Sequence, residues 1–399
     1  MRLIVLALCA FAQAALADET DWHNSWDGML YGYASSLNLR NDSVLNPGNQ
    51  LARLAQRSDN IEARLNLRAE NETLRFTARP ILAVRDAQNA IAPSKQQEAY
   101  LSQWQLRIKA GDNANLAAGR EVLNFGPAQF RSPSSPFYFD NGRSNPMREL
   151  PGMDVLKVSL TTGHLGNAQL VRVLGSGYSS ILPDPWRNSW LMKYDNHGEN
   201  SAAGLAVAKP ENRAIFLGAH GQFTVNDALL LYGELSSSTQ ANALNSPADP
   251  ALPFLVSAES ARKFTGLTGL AYTFENSQSL YAEYLHDGHG YSADQQRAYF
   301  RRATTVPGLA FGLAPRLLGR DYLHLVWQSN LMESRGYWRL MATHSLTDSG
   351  NELGGYGEYS LNPHTSAFLL GVLPAGSAQQ EFSGLFRYSV SAGLKVALP

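Results

Sequence analysis

Residues 60–70 read NIEARLNLRAE, and apolar and polar side chains alternate along this stretch. Ile61, Leu65 and Leu67 fall on one parity, whereas Arg64 and Arg68 fall on the other. Successive side chains of a β-strand point to opposite faces, so a period of two separates an apolar face from a charged face. The stretch therefore predicts a strand that is apolar on one side only.

The same alternation resumes after a turn at residues 71–72. In residues 74–79, Arg75 and Arg79 take the polar parity and the apolar side chains take the other. Two alternating runs joined by so short a turn predict an antiparallel hairpin. Comparable runs recur at residues 323–328, 338–343 and 382–398. The pattern predicts an all-β chain.

Short and long connections alternate between the predicted strands. The short ones lie at residues 71–72, 111–113, 226–227, 276–278, 333–336 and 362–364. The long ones lie at residues 41–59, 86–97, 123–152, 176–187, 239–261 and 288–319. Short periplasmic turns with longer outer loops are typical of transmembrane β-barrels. We predict an antiparallel up-and-down barrel of about eighteen strands, or sixteen if the weakly alternating residues 188–213 supply fewer.

The N-terminus has the features of a secretory signal peptide. Residues 1–17 carry one positive charge at Arg2, an apolar run, and the small-x-small end ALA at residues 15–17. We expect cleavage after this end, which leaves residues 18–399 as the barrel. The single cysteine, Cys9, is removed with the signal, so the mature chain forms no disulfide and offers no thiolate.

One local segment carries a family resemblance. Residues 119–127 read GREVLNFGP, and a strand ending in Gly-Arg before an aromatic-Gly loop is similar to segments of porin-like and polysaccharide-export barrels. Over its mature length the chain resembles a Gram-negative porin-type outer-membrane protein. This resemblance implies an outer-membrane location, contact with outer-membrane lipids and a path for a solute. The chain departs from the pattern at Leu398-Pro399, where such barrels usually end on an aromatic residue.

Residues 123–152 form the most unusual predicted connection. They contain five prolines and five aromatic residues. Proline removes a donor from a strand ladder, and loops of this length usually have a function. We expect this segment to fold into the lumen and narrow the pore; an ordered extracellular cap is the alternative. The candidate lining residues are Arg131, Asp140, Arg143, Arg148 and Glu149.

A second set of candidates is basic and lies on the polar parity of three successive predicted strands. We call this set the basic ladder: Arg64, Arg68, Arg75, Arg79, Arg107 and Lys109. Arginine is disfavoured on the lipid face of a barrel, so these side chains should point inward. Arginines along a pore lower the electrostatic barrier for anions. Alternatively, they pair with Glu62, Glu70 and Glu98 and only stabilise the wall.

The sequence offers little for catalysis or cofactor binding. His-x-Ser spacing, which would place both side chains on one strand face, occurs at His23 and at His364, outside the predicted strand centres. Asp287, His289 and Asp294 share one loop but lack the ligand spacing of a calcium site. We therefore predict no enzyme, no metal and no cofactor.

Three functions fit these observations. The preferred hypothesis is an outer-membrane channel for passive diffusion of small, anionic solutes. The second is an export conduit for an anionic exopolysaccharide, and the third, of another class, is an outer-membrane hydrolase or a structural, adhesin-like barrel. The formal net charge of −1 gives no reason to expect nucleic acid as a partner.

Overall fold

The computed structural model describes residues 22–89, 93–163, 165–177, 186–211, 213–239, 243–244, 256–257, 261–306, 317–330 and 334–398. The predicted signal peptide, residues 1–17, lies outside this part of the chain. Within it, no helix has the length and apolar character needed to cross a membrane.

Eighteen strands form one sheet, and two short strands form a separate ribbon. The strands of the first half are β1 (His23–Leu39), β2 (Ala55–Glu70), β3 (Leu74–Asn89), β4 (Pro93–Lys109), β5 (Ala114–Glu121), β6 (Met153–Thr162), β7 (Gly166–Gly175), β8 (Ser189–His197), β9 (Ser201–Lys209) and β10 (Phe216–Thr224). Those of the second half are β11 (Leu229–Ser238), β14 (Lys263–Thr273), β15 (Ser279–Asp287), β16 (Asp321–Gln328), β17 (Gly336–Ser345), β18 (Asn351–Asn362), β19 (Thr365–Ala375) and β20 (Phe386–Leu398). The ribbon pairs β12 (Ala243–Leu244) with β13 (Val256–Ser257).

The sheet closes on itself. Each strand is antiparallel to the strand before it, β11 pairs with β14 across the ribbon, and β1 pairs with both β2 and β20. Closure leaves no strand edge unpaired, which is the form a sheet needs inside a membrane. The predicted eighteen-stranded barrel is confirmed, and residues 188–213 supply the β8–β9 hairpin.

The outer face of the barrel is apolar. Ile61, Leu205 and Met192 are 59%, 59% and 63% exposed. Large exposed apolar residues also occupy the outward positions of the other strands. A surface of this kind is unfavourable in water but suits lipid. The parity that carries Ile61 therefore faces lipid in a membrane-spanning barrel, and the parity that carries Arg64 faces the lumen.

The structure corrects the prediction of a long loop at residues 86–97. β3 continues to Asn89 and β4 starts at Pro93, with Asp86 opposite Lys95. The side chains of this pair form an ion pair at 3.7 Å. This end of the hairpin extends past the apolar band, where both faces meet water. Polar residues on both parities therefore concealed the strand signal in the sequence.

The long loops at one end of the barrel pack on one another. Helix α1 (Ala293–Thr305) starts with a capping box formed by Ser292 and Gln295. Its Tyr299 and Phe300 are buried with Val44 and Leu45 of the β1–β2 loop, which also holds a short 3-10 helix (Pro47–Asn49). Nearby, the buried carboxyl of Glu381 accepts hydrogen bonds from the backbone N–H groups of Leu318 and Gly319 and from the Tyr322 hydroxyl, which lies 2.5 Å away. This carboxyl therefore links its own loop to residues 318–319 and to β16 at the end of the barrel that carries the long loops.

Glu381 should make the stability of this end of the barrel depend on pH. Burial raises the pKa of Glu381 from 4.5 to about 7, above its value in the unfolded chain. The folded protein then binds more protons than the unfolded chain between these values, so stability falls as pH rises from about 4.5 to about 7. We expect the melting temperature of the wild type in detergent to fall over this range and that of Glu381→Gln to change less. Glu72→Gln, at an exposed turn, is the control and should behave as the wild type. If the melting temperature of Glu381→Gln fell with pH as much as that of the wild type, Glu381 would not be the source of the pH dependence.

Candidate functional site: the lumen

The connection between β5 and β6 runs across the inside of the barrel. We call residues 122–152 the inner segment. Its Glu149 accepts a hydrogen bond from Ser102 of β4, at 3.2 Å, and the backbone N–H of its Phe130 donates to Glu283 of β15, at 2.8 Å. Eight strands of the barrel separate β4 from β15 in either direction. The inner segment thus contacts opposite walls.

A buried carboxylate on β11 holds one end of this crossing. Glu234 accepts hydrogen bonds from the backbone N–H groups of Ala128 (2.9 Å) and Ser134 (3.1 Å). It also accepts from the hydroxyls of Ser132 (2.7 Å) and Ser134 (2.8 Å). Hydrogen bonds to a charged acceptor are about twice as strong as neutral ones. Glu234 therefore fixes the segment to the wall.

A second carboxylate on β15 acts in the same way. Glu283 accepts from the backbone N–H groups of Gln129 (2.6 Å) and Phe130 (2.8 Å) and from the Tyr232 hydroxyl (2.7 Å). Neither anchor was predicted from the sequence. On β11 the available signal was a single acidic residue in an otherwise uncharged strand, whereas β15 carries Asp287 at the same parity as Glu283. Neither pattern reveals the partner of the carboxylate.

Gly126 and Arg143 set the shape of the segment beside Glu234. Gly126 has φ +75°, and a Cβ atom there would lie 2.1 Å from a Glu234 carboxylate oxygen. Arg143 donates to the carbonyls of Pro127, Ala128 (2.7 Å) and Gly126 (3.2 Å). The prediction had Arg143 lining the path. Its contacts show that it braces the segment from within, and its place along the path stays a prediction.

An apolar cluster seals the segment against the wall formed by β6–β10. The inward positions of these strands include Val155, Val171 and Leu191, which are buried against Phe125 and Tyr138 of the segment. The lumen face of a porous barrel is usually polar, so an apolar patch there indicates a surface meant to be covered. Packing of apolar side chains thus adds to the two carboxylate anchors.

The charged side chains of the segment meet at Asp140. Its carboxylate lies 2.5 Å from Arg148 and 3.7 Å from Arg131. Burial alone would raise the pKa of Asp140, but the two guanidinium groups and a hydrogen bond from Gly142 lower it below its usual range. Arg131 also stacks on the Phe130 ring, 4.5 Å from its centroid. Of this group, the Arg148 side chain is the most exposed, at 46%.

All six residues of the basic ladder occupy the inward parity of β2, β3 and β4. Most of them form an ion pair with a neighbouring carboxylate. The pairs are Arg64–Glu62 (2.5 Å), Arg68–Glu70 (2.5 Å), Arg75–Glu70 (2.5 Å), Arg79–Glu149 (2.8 Å) and Lys109–Asp112 (3.9 Å). Arg64 also donates to the Met147 carbonyl, at 2.9 Å. The wall therefore carries many basic side chains, but neighbouring carboxylates neutralise most of their charge.

Two inward arginines on this wall differ from the rest. Arg107 of β4 and Arg85 of β3 have no carboxylate within ion-pair distance in the described part of the chain. Arg107 lies opposite Arg75, near the short turns. Arg85 lies toward the long loops, beside Tyr33 and Asn60. Arg85 was not predicted as a lumen residue because it adjoins residues 86–97, which were predicted to form a loop.

The adjoining wall, β5–β10, carries balanced pairs. The Lys157 ammonium contacts the Glu121 carboxylate, and Lys193 lies 2.6 Å from Asp195, which is also 3.5 Å from His220. These pairs place no net charge of either sign on that side. The charges of these β5–β10 residues are thus paired, in contrast to Arg85 and Arg107 on β3 and β4.

The other sequence candidates do not converge on a site. Asp287 accepts from Thr265 and from the His289 backbone, while Asp294 pairs with Arg297 on the exposed face of α1. The described residues contain no group of three or more His, Cys, Asp or Glu side chains placed to hold a metal ion. His364 lies in the turn between β18 and β19.

Comparison with known proteins identifies the fold. No protein-family model matches the sequence, and no curated protein sequence matches it. The Pseudomonas aeruginosa structures OccK5 (OpdH) and OccK11 (OpdR) both match with a TM-score of 0.59, at 9% and 10% identity, covering 94% of this chain and 98% and 96% of theirs. Acinetobacter baumannii OccAB3 matches with a TM-score of 0.57 at 10% identity, covering 94% of this chain and 99% of its own. These proteins are Gram-negative outer-membrane porins, and this chain shares their barrel fold.

Proposed function

We propose that this protein is a passive-diffusion channel of the Gram-negative outer membrane and that it favours small anionic solutes. The lipid-facing outer surface and the porin fold support the membrane location and the channel. The inner segment, which contacts opposite walls, acts as the constriction. A crossing of this kind suits small solutes better than a continuous polymer, so we favour diffusion over polysaccharide export.

The observation that carries the anion preference is the charge balance of the lumen. The β2–β4 wall has more arginines than carboxylates, because Arg85 and Arg107 have no carboxylate partner in the described chain and Glu70 is shared by Arg68 and Arg75. The adjoining wall, β5–β10, is balanced by ion pairs. An excess of positive charge along a water-filled path lowers the barrier for anions.

Planar-bilayer recording of the purified protein tests this function. We expect open-channel conductance and, across a potassium chloride gradient, a reversal potential with the sign of chloride preference. Potassium and chloride have similar mobilities in water, so the sign of the reversal potential reports the ion selectivity of the protein. A reversal potential of zero or of the cation sign would refute the anion preference, and an absence of conductance from folded protein would refute the channel.

A further inference from the structure

Three residues on the outer surface form a row across β7, β8 and β9. Arg172 pairs with Trp190, and Trp190 pairs with Lys209, in the registers of these strands. The row has the outward parity, because Leu170 and Met192, two residues away on the same faces, are 42% and 63% exposed. Each of the three lies within three residues of the strand end opposite the short turns. The row thus lies at the rim of the lipid-facing surface.

The two cations of this row have no carboxylate partner in the part of the chain that the structure describes. Arg172 donates to the Asn188 carbonyl at 2.6 Å, and Lys209 donates to the Arg213 carbonyl at 2.7 Å. The Arg172 guanidinium lies 5.1 Å from the centre of the Trp190 ring. By contrast, Arg120, on the same rim, is paired with Asp154 at 2.8 Å. Arg172 and Lys209 therefore lie where the protein meets lipid, with no carboxylate of the described residues in ion-pair contact.

We propose that Arg172, Trp190 and Lys209 bind the phosphate group of a membrane lipid in the leaflet on the side of the long loops. Neighbouring strands lie about 4.8 Å apart, so the two cations flank the indole ring at a backbone separation of roughly 10 Å. Guanidinium and ammonium groups bind phosphate oxygens through charge-assisted hydrogen bonds. Tryptophan is enriched at the level of lipid head groups, which sets the depth at which the phosphate would bind.

Charge complementarity favours a lipid phosphate over an acyl chain as the group bound by Arg172 and Lys209. A lipid-facing cation at the middle of a bilayer costs about 2–4 kcal/mol, and this cost falls to about 0–1 near the interface. At the rim a phosphate supplies the missing counter-charge, whereas an acyl chain does not. The proposal goes beyond the proposed channel function and requires only that the barrel lies in a membrane.

Native mass spectrometry of the purified protein in neutral detergent tests the site. The probe is bis-phosphorylated lipid A, titrated against wild type and against the double variant Arg172→Gln with Lys209→Gln. We expect the double variant to bind the lipid at least about tenfold more weakly, since it loses two charge-assisted contacts. Equal binding by the two proteins would overturn the proposal.

Two further arms define the source of the phosphate and the specificity of the effect. Excess inorganic phosphate should leave the lipid bound; if it displaces the lipid and binds equally tightly, the lipid proposal is wrong.

Arg85→Gln with Arg107→Gln removes the same charge from the lumen and should bind lipid as the wild type does. If the double variant does not fold, Lys209→Gln alone, at an exposed strand end, should still weaken binding. Channel conductance of the variant should be unchanged, which separates this result from any failure of the channel function.

Discussion

Replacing Glu234 by alanine should release the inner segment and raise single-channel conductance severalfold. The change removes the acceptor of four hydrogen bonds, from the backbone and side-chain groups of Ala128, Ser132 and Ser134. Buried donors left without a partner cost about 1–3 kcal/mol each. The docked position therefore becomes unfavourable, and water takes the place of the wall contact. Planar-bilayer recording measures the gain in conductance, and limited proteolysis of residues 122–152 reports the release.

Glu358→Ala is the matched control for this experiment. Glu358 is also an inward carboxylate, but it bonds to Lys395 and Tyr356, both at 2.6 Å, on its own wall. Its replacement removes the same charge and should leave the segment protected and the conductance close to that of the wild type. If Glu234→Ala fails to fold, deletion of residues 132–144 provides a second test and should also raise conductance. A wild-type conductance in both would show that the segment is no constriction.

The largest change in ion selectivity should come from replacing Arg85 and Arg107 together by glutamine. These two inward guanidinium groups have no carboxylate partner among the described residues, so each acts on a passing ion with its full charge. A unit charge about 4 Å from an ion in water contributes about 1 kcal/mol, or roughly fivefold in local concentration. We expect the chloride-to-potassium permeability ratio to fall severalfold toward one. Reversal potentials at low ionic strength measure this ratio with the least screening.

The control for selectivity is the outward pair Arg172→Gln with Lys209→Gln. It removes the same two positive charges from the protein but from the lipid face, so the permeability ratio should stay near that of the wild type. A ratio that falls equally in both variants would mean that total charge, and not the lumen wall, sets selectivity. A ratio that falls in neither would remove Arg85 and Arg107 from the path.

Periodicity predicted the barrel because one side of every strand in lipid must be apolar. The same rule placed Arg64 and Arg75 inward from sequence alone, and the strand registers agree. Periodicity did not predict the paired strands at residues 86–97, since a strand that extends beyond the lipid needs no apolar face. Parity gives the direction of a side chain, but it does not tell a free guanidinium from one that is paired.

The inner segment marks the limit of sequence reasoning for the site. Its proline and aromatic content indicated an ordered structure, but the anchors Glu234 and Glu283 lie more than a hundred residues away along the chain. Before the fold is known, these acids look the same as Glu62, which pairs with its neighbour Arg64. The role of Arg143 as a brace depends equally on the path that the backbone takes around Gly126.

The distant anchors also impose an order on assembly. The inner segment leaves the chain after β5, yet its docking groups belong to β11 and β15. It can reach its final place only when β11 and β15 have joined the barrel. Contacts so far apart in sequence form slowly. Glu234 and Glu283 thus make the presence of β11 and β15 in the barrel a condition for docking the inner segment.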